Sequence, residues 1–130
     1  RDRAIAVVKN NHTAFIRMSI TNLFRPKNRT LFREKVNKVK KEALKTPLQG
    51  IVAALEGMKI RKNRLYLFRQ SKISKIVFLG KKDAILDYKL QMNYYSNSDI
   101  TVVSFSDGHM SHIENKEDFT YKIMHFIENI

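Results

Sequence analysis

Two short apolar runs near the carboxyl end constrain most strongly what this 130-residue chain can fold into. Residues 76–79 read Ile-Val-Phe-Leu, and residues 100–105 read Ile-Thr-Val-Val-Ser-Phe. The first run is continuous rather than alternating, which is typical of a strand covered on both faces in a parallel sheet. Between the runs, apolar residues recur at helical spacing, so residues 84–95 are predicted to form a helix. The order strand, helix, strand predicts a βαβ unit with parallel strands.

The rest of the chain has a helical pattern. A final helix is predicted after Asn115, because Asn115 and Asp118 have the spacing of a capping box and an apolar stripe follows. Upstream, residues 13–24 form an apolar stripe that ends before a proline, and residues 28–45 predict one amphipathic helix with its lysines facing outward. The fold class is therefore α/β, with a βαβα unit preceded by helices.

Two residues with catalytic chemistry follow the two predicted strands. Asp83 comes three residues after Gly80, and His109 comes directly after Gly108. Catalytic groups in open α/β sheets lie at the carboxyl ends of the strands, so these side chains are expected to lie close together. A carboxylate there can accept the ring N–H of the histidine and stabilise the imidazolium that forms when the histidine takes a proton. The alternative interpretation is that Asp83 only caps the following helix, since Asp is a favoured N-cap residue.

The sequence around these two residues resembles a known family. Residues 78–83 (FLGKKD) and residues 106–119 (SDGHMSHIENKEDF) look like the end of an α/β-hydrolase, in which the triad acid follows one late strand and the histidine the next. The resemblance covers residues 73–130 strongly and identifies them as the carboxyl-terminal part of the hydrolase core. Residues 1–72 are similar, more loosely, to the helical lid that the family inserts before these strands.

The resemblance implies a serine-nucleophile hydrolase that acts on a small-molecule acyl substrate such as an ester or an amide. Asp83 and His109 would then be the catalytic acid and base. No G-x-S-x-G motif and no glycine-rich oxyanion loop occur in the chain. In the family both features lie upstream of the lid, so this chain alone is expected to be inactive. No metal or other cofactor is expected, because such an enzyme activates its nucleophile by proton transfer.

Two further features indicate that part of the protein is missing. The opening residues, Arg1 to Lys9, read as the middle of a helix without a cap, so a preceding segment is expected. Two parallel strands also leave both outer edges unpaired, so the sheet is expected to continue elsewhere. Either the missing amino-terminal half or a second copy of the chain is expected to cover it.

The net charge of +13 is unevenly distributed along the chain. Residues 1–82 hold 22 lysines and arginines against 4 acidic residues, whereas residues 83–130 hold 3 against 8. A charge run is more often a solvated face than a binding site, so nucleic acid is not the expected partner. The alternative function is a non-catalytic module whose basic residues 35–45 hold nucleic acid or an acidic surface. A family member that has lost catalysis and kept the fold is a third possibility.

The remaining sequence features concern the location of the protein and the roles of its other ionisable residues. The chain has no cysteine, which suits a reducing compartment, and a cytoplasmic location is expected. No apolar run approaches the ~20 residues that cross a bilayer. His12, His112 and His125 are interpreted as surface or core histidines, and Glu114 as an acid of a loop or helix start.

Overall fold

The structure, a computed structural model, describes residues 1–95 and 99–130. The helices before the first strand are α1 Asp2–Asn10, α2 His12–Leu23, α3 Asn28–Leu31, α4 Arg33–Ala43, α5 Leu48–Ile60 and α6 Leu65–Gln70. They are followed by β1 Ile76–Gly80, α7 Tyr88–Tyr95, β2 Thr101–Phe105, α8 Ser111–Glu114 and α9 Lys116–Glu128. This order confirms the predicted α/β unit preceded by helices.

The two strands pair in parallel, as the two apolar runs predict. Ile76 lies opposite Thr101, and Gly80 lies opposite Phe105. Helix α9 covers one face of the pair, where the Phe119 ring centroid lies 4.8 Å from that of Phe78 and 5.9 Å from that of Phe105. Phe105 is 2% exposed, and burying a side chain of this size contributes ~1.5–3 kcal/mol.

A second, smaller core joins the amino-terminal helices. Ile5 and Val8 of α1 pack with Leu55 of α5, and all three side chains are buried. Phe15 of α2 packs against the same cluster. The i, i+3 spacing of Ile5 and Val8 places both on one face of α1, which explains why α1 can contact α2 and α5. Among residues 1–95 and 99–130, no helix combines the length and apolar content that crossing a membrane requires.

The predicted amphipathic helix over residues 28–45 is two helices in the structure. The backbone departs from helical geometry at Phe32, with φ −101° and ψ 27°, so that α3 ends there and α4 begins. Helix α4 then ends at Ala43, before the end predicted for the helix. The apolar pattern gave no sign of this break, since helical spacing continues across it.

Helix α7 begins four residues after the predicted start of the helix over residues 84–95. The reason is side-chain competition for backbone N–H groups. The carboxylate of Asp83 accepts hydrogen bonds from the backbone of the next turn, and Asp87 Oδ1 accepts from Leu90 N at 2.7 Å. Asp87 thereby caps the helix that starts at the following residue.

The predicted capping box at the start of α9 is wrong. Asn115 does precede the helix, but its side chain makes no capping hydrogen bond. Instead Asn115 Nδ2 donates to Asp107 Oδ2 at 3.0 Å. The side chain is thus used to hold the loop after β2 rather than the first turn of α9.

Much apolar surface near the sheet is not covered by the chain itself. In the described part of the chain the sheet contains β1 and β2 alone, so each strand has one edge without a strand partner. The segment between the strands was predicted to pack on the sheet, and α7 does contact β1. Ile85 and Leu90 nevertheless remain 53% and 47% exposed. These side chains would be buried only if a further part of the protein packed against them.

Candidate active site

Asp83 is held in a tight turn directly after β1. Its backbone N–H donates to Gly80 O at 3.2 Å. One carboxylate oxygen, Oδ1, accepts hydrogen bonds from Ile85 N at 2.7 Å and from Leu86 N at 3.1 Å. The side chain is 5% exposed. The backbone therefore fixes the orientation of the carboxylate and leaves its second oxygen for another partner.

That partner is His109, in the loop after β2. His109 Nδ1 lies 2.7 Å from Asp83 Oδ2. The imidazole is 38% exposed, and its other nitrogen, Nε2, has no hydrogen-bond partner within residues 1–95 and 99–130. The structure thus brings the two sequence-predicted site residues into direct contact, while their catalytic role stays a prediction. The interpretation that Asp83 caps the following helix is wrong, because α7 begins at Tyr88 and Asp87 is its cap. Asp83 Oδ1 instead accepts hydrogen bonds from the turn that precedes the helix.

Two glycines permit the close approach of the strand ends. A Cβ on Gly80 would lie 2.1 Å from Gly108 O and 2.7 Å from Asp107 O, which are both backbone atoms. The loop after β1 continues the strand pairing, because Lys82 N donates to Asp107 O at 2.9 Å. The loops that carry Asp83 and His109 are therefore packed backbone against backbone, which leaves no room for a side chain.

The His109 loop is also attached to the segment between α2 and α3. His109 N donates to Leu23 O at 2.9 Å. Glu114, which is buried, accepts hydrogen bonds from Gly108 N at 3.0 Å and from Arg25 N at 2.8 Å. Glu114 was interpreted from the sequence as an ordinary acid of a loop or helix start. No local sequence signal identifies its role, because two of its partners lie 86 and 89 residues away.

Asp107 makes a second connection to the same segment. Its carboxylate forms an ion pair with Arg25 at 2.9 Å and accepts a hydrogen bond from Asn115. Burial raises the pKa of Asp107, but the hydrogen bonds from Arg25 and Asn115 outweigh that effect and hold the pKa below its usual value. The loop after β2 is thus anchored to the segment after α2 by Asp107.

Serines near His109 are bonded to other groups. Ser106 Oγ donates to Asp107 Oδ2 at 3.2 Å, and Ser111 Oγ donates to Gly108 O at 3.3 Å. The remaining histidines do not join the pair: His12 Nε2 contacts Thr46 O, His112 lies against the Phe119 ring, and His125 stacks on the Tyr121 ring. In the described part of the chain, no group of three or more His, Asp or Glu side chains could hold a metal ion.

An acid and an imidazole in this arrangement are two parts of a proton-transfer system. When the carboxylate accepts a hydrogen bond from Nδ1–H, Nε2 is the nitrogen left to take a proton from a nucleophile. A third group, the nucleophile, is required for covalent catalysis. It is absent from the hydrogen bonds of His109 among the described residues.

Two solved structures with a similar fold are esterases. Over 98% of its length the chain matches an esterase from Exiguobacterium antarcticum, with a TM-score of 0.81 and 13% identity. Over 98% of its length it also matches a thermophilic esterase from Thermogutta terrifontis, with a TM-score of 0.78 and 23% identity. The matches cover 47% and 48% of those two proteins, so the chain spans about half their length.

These matches show the fold. The helices and the two-stranded parallel sheet have the architecture of the carboxyl-terminal portion of an esterase. No protein-family model matches the chain, and no curated protein matches its sequence.

Proposed function

We propose that this chain is the carboxyl-terminal half of a serine-nucleophile α/β-hydrolase that cleaves esters, amides or related acyl compounds. In this proposal His109 is the general base and acid, and Asp83 orients it. The 2.7 Å contact between Asp83 Oδ2 and His109 Nδ1 is the observation that carries the proposal. The similarity of the fold to two esterases supports it.

The geometry suits each step of acyl transfer. Asp83 keeps the proton of the neutral imidazole on Nδ1, which directs the basic Nε2 toward the nucleophile. Nε2 takes the hydroxyl proton as the oxygen attacks the acyl carbon, and it later donates that proton to the leaving group. Asp83 stabilises the imidazolium between these steps. Water then attacks the acyl carbon while the same imidazole takes its proton. The imidazole returns that proton to the nucleophile oxygen as the acyl–oxygen bond breaks and the acid is released.

The nucleophile belongs, in this proposal, to residues outside these 130. Ser106 and Ser111 bond to groups other than the imidazole, and no serine in the chain has the flanking glycines of a nucleophile elbow. That the chain spans about half of the esterases it matches supports the same conclusion. Residues 1–72 would then be the lid, placed over the acyl group.

The other half of the protein is also the proposed cover of the sheet. The unpaired outer edge of β1 and the exposed Ile85 and Leu90 would both be buried by a further parallel strand and its helix. A second copy of this chain is the alternative cover. Either interface should bury well above the ~1,000 Å² that marks specific association, and the size of the protein in solution distinguishes the two.

The test uses the complete protein and an activated ester such as p-nitrophenyl acetate. We expect His109→Ala to lower kcat by several orders of magnitude, and Asp83→Asn to lower it by about 10⁴-fold, because the amide no longer holds the correct tautomer. His112→Ala is the matched control, since this histidine lies three residues on and does not contact the pair. The three variants should keep the circular dichroism spectrum of the parent.

The outcomes separate the candidate functions. Full activity of the His109→Ala variant would remove this histidine from the mechanism, and loss of activity in His112→Ala alone would transfer the role to that residue. A complete protein with no hydrolase activity, which nevertheless binds DNA with a steep dependence on salt, would support the basic binding module instead.

A further inference from the structure

Glu114 is a buried carboxylate with an unusual set of partners. It is 7% exposed. Its Oε1 accepts hydrogen bonds from Arg25 N at 2.8 Å and from Asn28 Nδ2 at 3.0 Å, and its Oε2 accepts from Gly108 N at 3.0 Å. A buried carboxylate is tolerated only when donors of this kind surround it. All three partners are donors, and they come from two distant parts of the chain.

The position of Glu114 links the catalytic loop to the amino-terminal helices. Gly108 directly precedes His109, so the Oε2 bond fixes the peptide that carries the proposed base. The Oε1 bonds fix the segment after α2. Leu23 O, at the end of α2, accepts a hydrogen bond from His109 N. A Cβ on Gly108 would lie 2.7 Å from Glu114 Oε2 and 2.7 Å from Arg25 N, so glycine is required for this approach.

We propose that Glu114 is a positioning residue for His109. Its carboxylate holds the Gly108–His109 turn against the segment between α2 and α3, and thereby keeps the imidazole at hydrogen-bond distance from Asp83. The proposal rests on the proposed function, because it assigns Glu114 a role through the base. Glu114 contacts neither Asp83 nor the imidazole, so it acts by placing the backbone of the base.

The substitution Glu114→Gln tests this with little change in shape. An amide has one acceptor and one donor group, whereas Glu114 meets donors on both sides. If the amide nitrogen replaces Oε1, it faces the N–H groups of Arg25 and Asn28; if it replaces Oε2, it faces Gly108 N–H alone. The second orientation breaks fewer hydrogen bonds. The variant should therefore release Gly108 and keep the contacts to the segment after α2.

The readouts are steady-state kinetics of the complete protein and the proton NMR signal of the His109 Nδ1 hydrogen. We expect Glu114→Gln to lower kcat by roughly 10- to 100-fold with KM changed little, because a misplacement of about 1 Å can cost 10²-fold in rate. The Nδ1 proton signal should broaden or disappear. Glu117→Gln, an exposed acid three residues along, is the matched control and should leave both readouts unchanged.

A comparison with Asn28→Ala separates positioning from stability. That variant also removes one hydrogen bond to Glu114, but it leaves the bond to Gly108 intact. If Glu114 only stabilises the folded protein, both variants lower the free energy of unfolding and neither changes kcat at saturating substrate. If Glu114 positions the base, Glu114→Gln lowers kcat far more than Asn28→Ala does.

Two outcomes would overturn the proposal without touching the proposed function. In the first outcome, the His109→Ala variant is inactive, whereas the Glu114→Gln variant keeps the parental kcat and an unchanged Nδ1 proton signal. The second outcome is measured on the parent protein, so it tests the proposal even if the Glu114→Gln variant does not fold. Hydrogen exchange of the Gly108 amide in the parent protein should be as slow as that of the β2 amides, and exchange at the rate of an open loop would contradict the proposal. An active His109→Ala variant would instead refute the proposed function.

Discussion

Substituting Gly80 by alanine tests the packing that brings Asp83 and His109 together. The new Cβ would lie 2.1 Å from Gly108 O, 2.7 Å from Asp107 O and 2.8 Å from Gly108 C. All three atoms belong to the backbone, so no side chain can rotate away. The φ angle of Gly80 lies outside the left-handed region. The cost of the substitution therefore comes from space and not from backbone conformation.

The loss of stability in Gly80→Ala depends on how far the loops after β1 and β2 must move apart. An ordinary contact begins near 3.4 Å, so the two loops must separate by roughly 1 Å, and overpacking of this kind costs ~1–3 kcal/mol. The hydrogen bonds from Lys81 N to Phe105 O and from Lys82 N to Asp107 O cross the same gap. Each contributes ~0.5–1.5 kcal/mol. Since alanine also stabilises by ~0.4–1 kcal/mol through the unfolded state, we expect a net loss of about 1–5.5 kcal/mol.

The assay is equilibrium unfolding in urea, followed by circular dichroism, on the complete protein. Gly57→Ala is the matched control, because a Cβ at this exposed position in α5 meets nothing within 4 Å. That variant should gain ~0.5–1 kcal/mol of stability from the better helix propensity of alanine. A Gly80→Ala variant as stable as the parent would refute the close packing of the two loops.

Two further predictions concern the sheet core and the loop after β2. Phe105→Ala should lower the free energy of unfolding by ~3–5 kcal/mol, because it empties the centre of a ring cluster, whereas Tyr121→Ala, at a residue 63% exposed, should change it by less than ~0.5 kcal/mol. Urea unfolding measures both, and equal effects would contradict the assigned core. The lowered pKa of Asp107 means that the unfolded chain binds its proton at higher pH than the folded chain does. Stability should therefore fall as the pH decreases from about 5 through the folded pKa. An Asp107→Asn variant should show a weaker decline between pH 5 and pH 3, and an identical decline would remove Asp107 as its source.

The sheet and the contact between Asp83 and His109 were predictable because local patterns determine them. The apolar runs of β1 and β2 indicate buried parallel strands, and parallel strands place the residues that follow them at one edge. Asp83 and His109 therefore had to be neighbours if both runs were strands. The helix boundaries were less predictable, because carboxylates such as Asp83 and Asp87 compete for the backbone N–H groups that a helix would use.

The contacts of Glu114 and Asn115 could not be predicted from the sequence. Both residues lie near a helix start, where an acid or an amide is ordinarily a cap. In the structure Glu114 bonds Arg25 and Asn28, and Asn115 bonds Asp107. These contacts depend on how the segment after α2 returns to the sheet. No periodicity within the chain encodes that path.

In the proposed function, His109 activates a nucleophile located outside these 130 residues. Labelling of the complete protein with a fluorophosphonate tests it directly, because this reagent bonds covalently to an activated serine oxygen and loses fluoride. Peptide mass spectrometry should place the adduct on a serine upstream of Arg1, and His109→Ala should abolish labelling while His112→Ala leaves it intact. An adduct on a serine within the 130 residues, or unchanged labelling in the His109→Ala variant, would contradict the account.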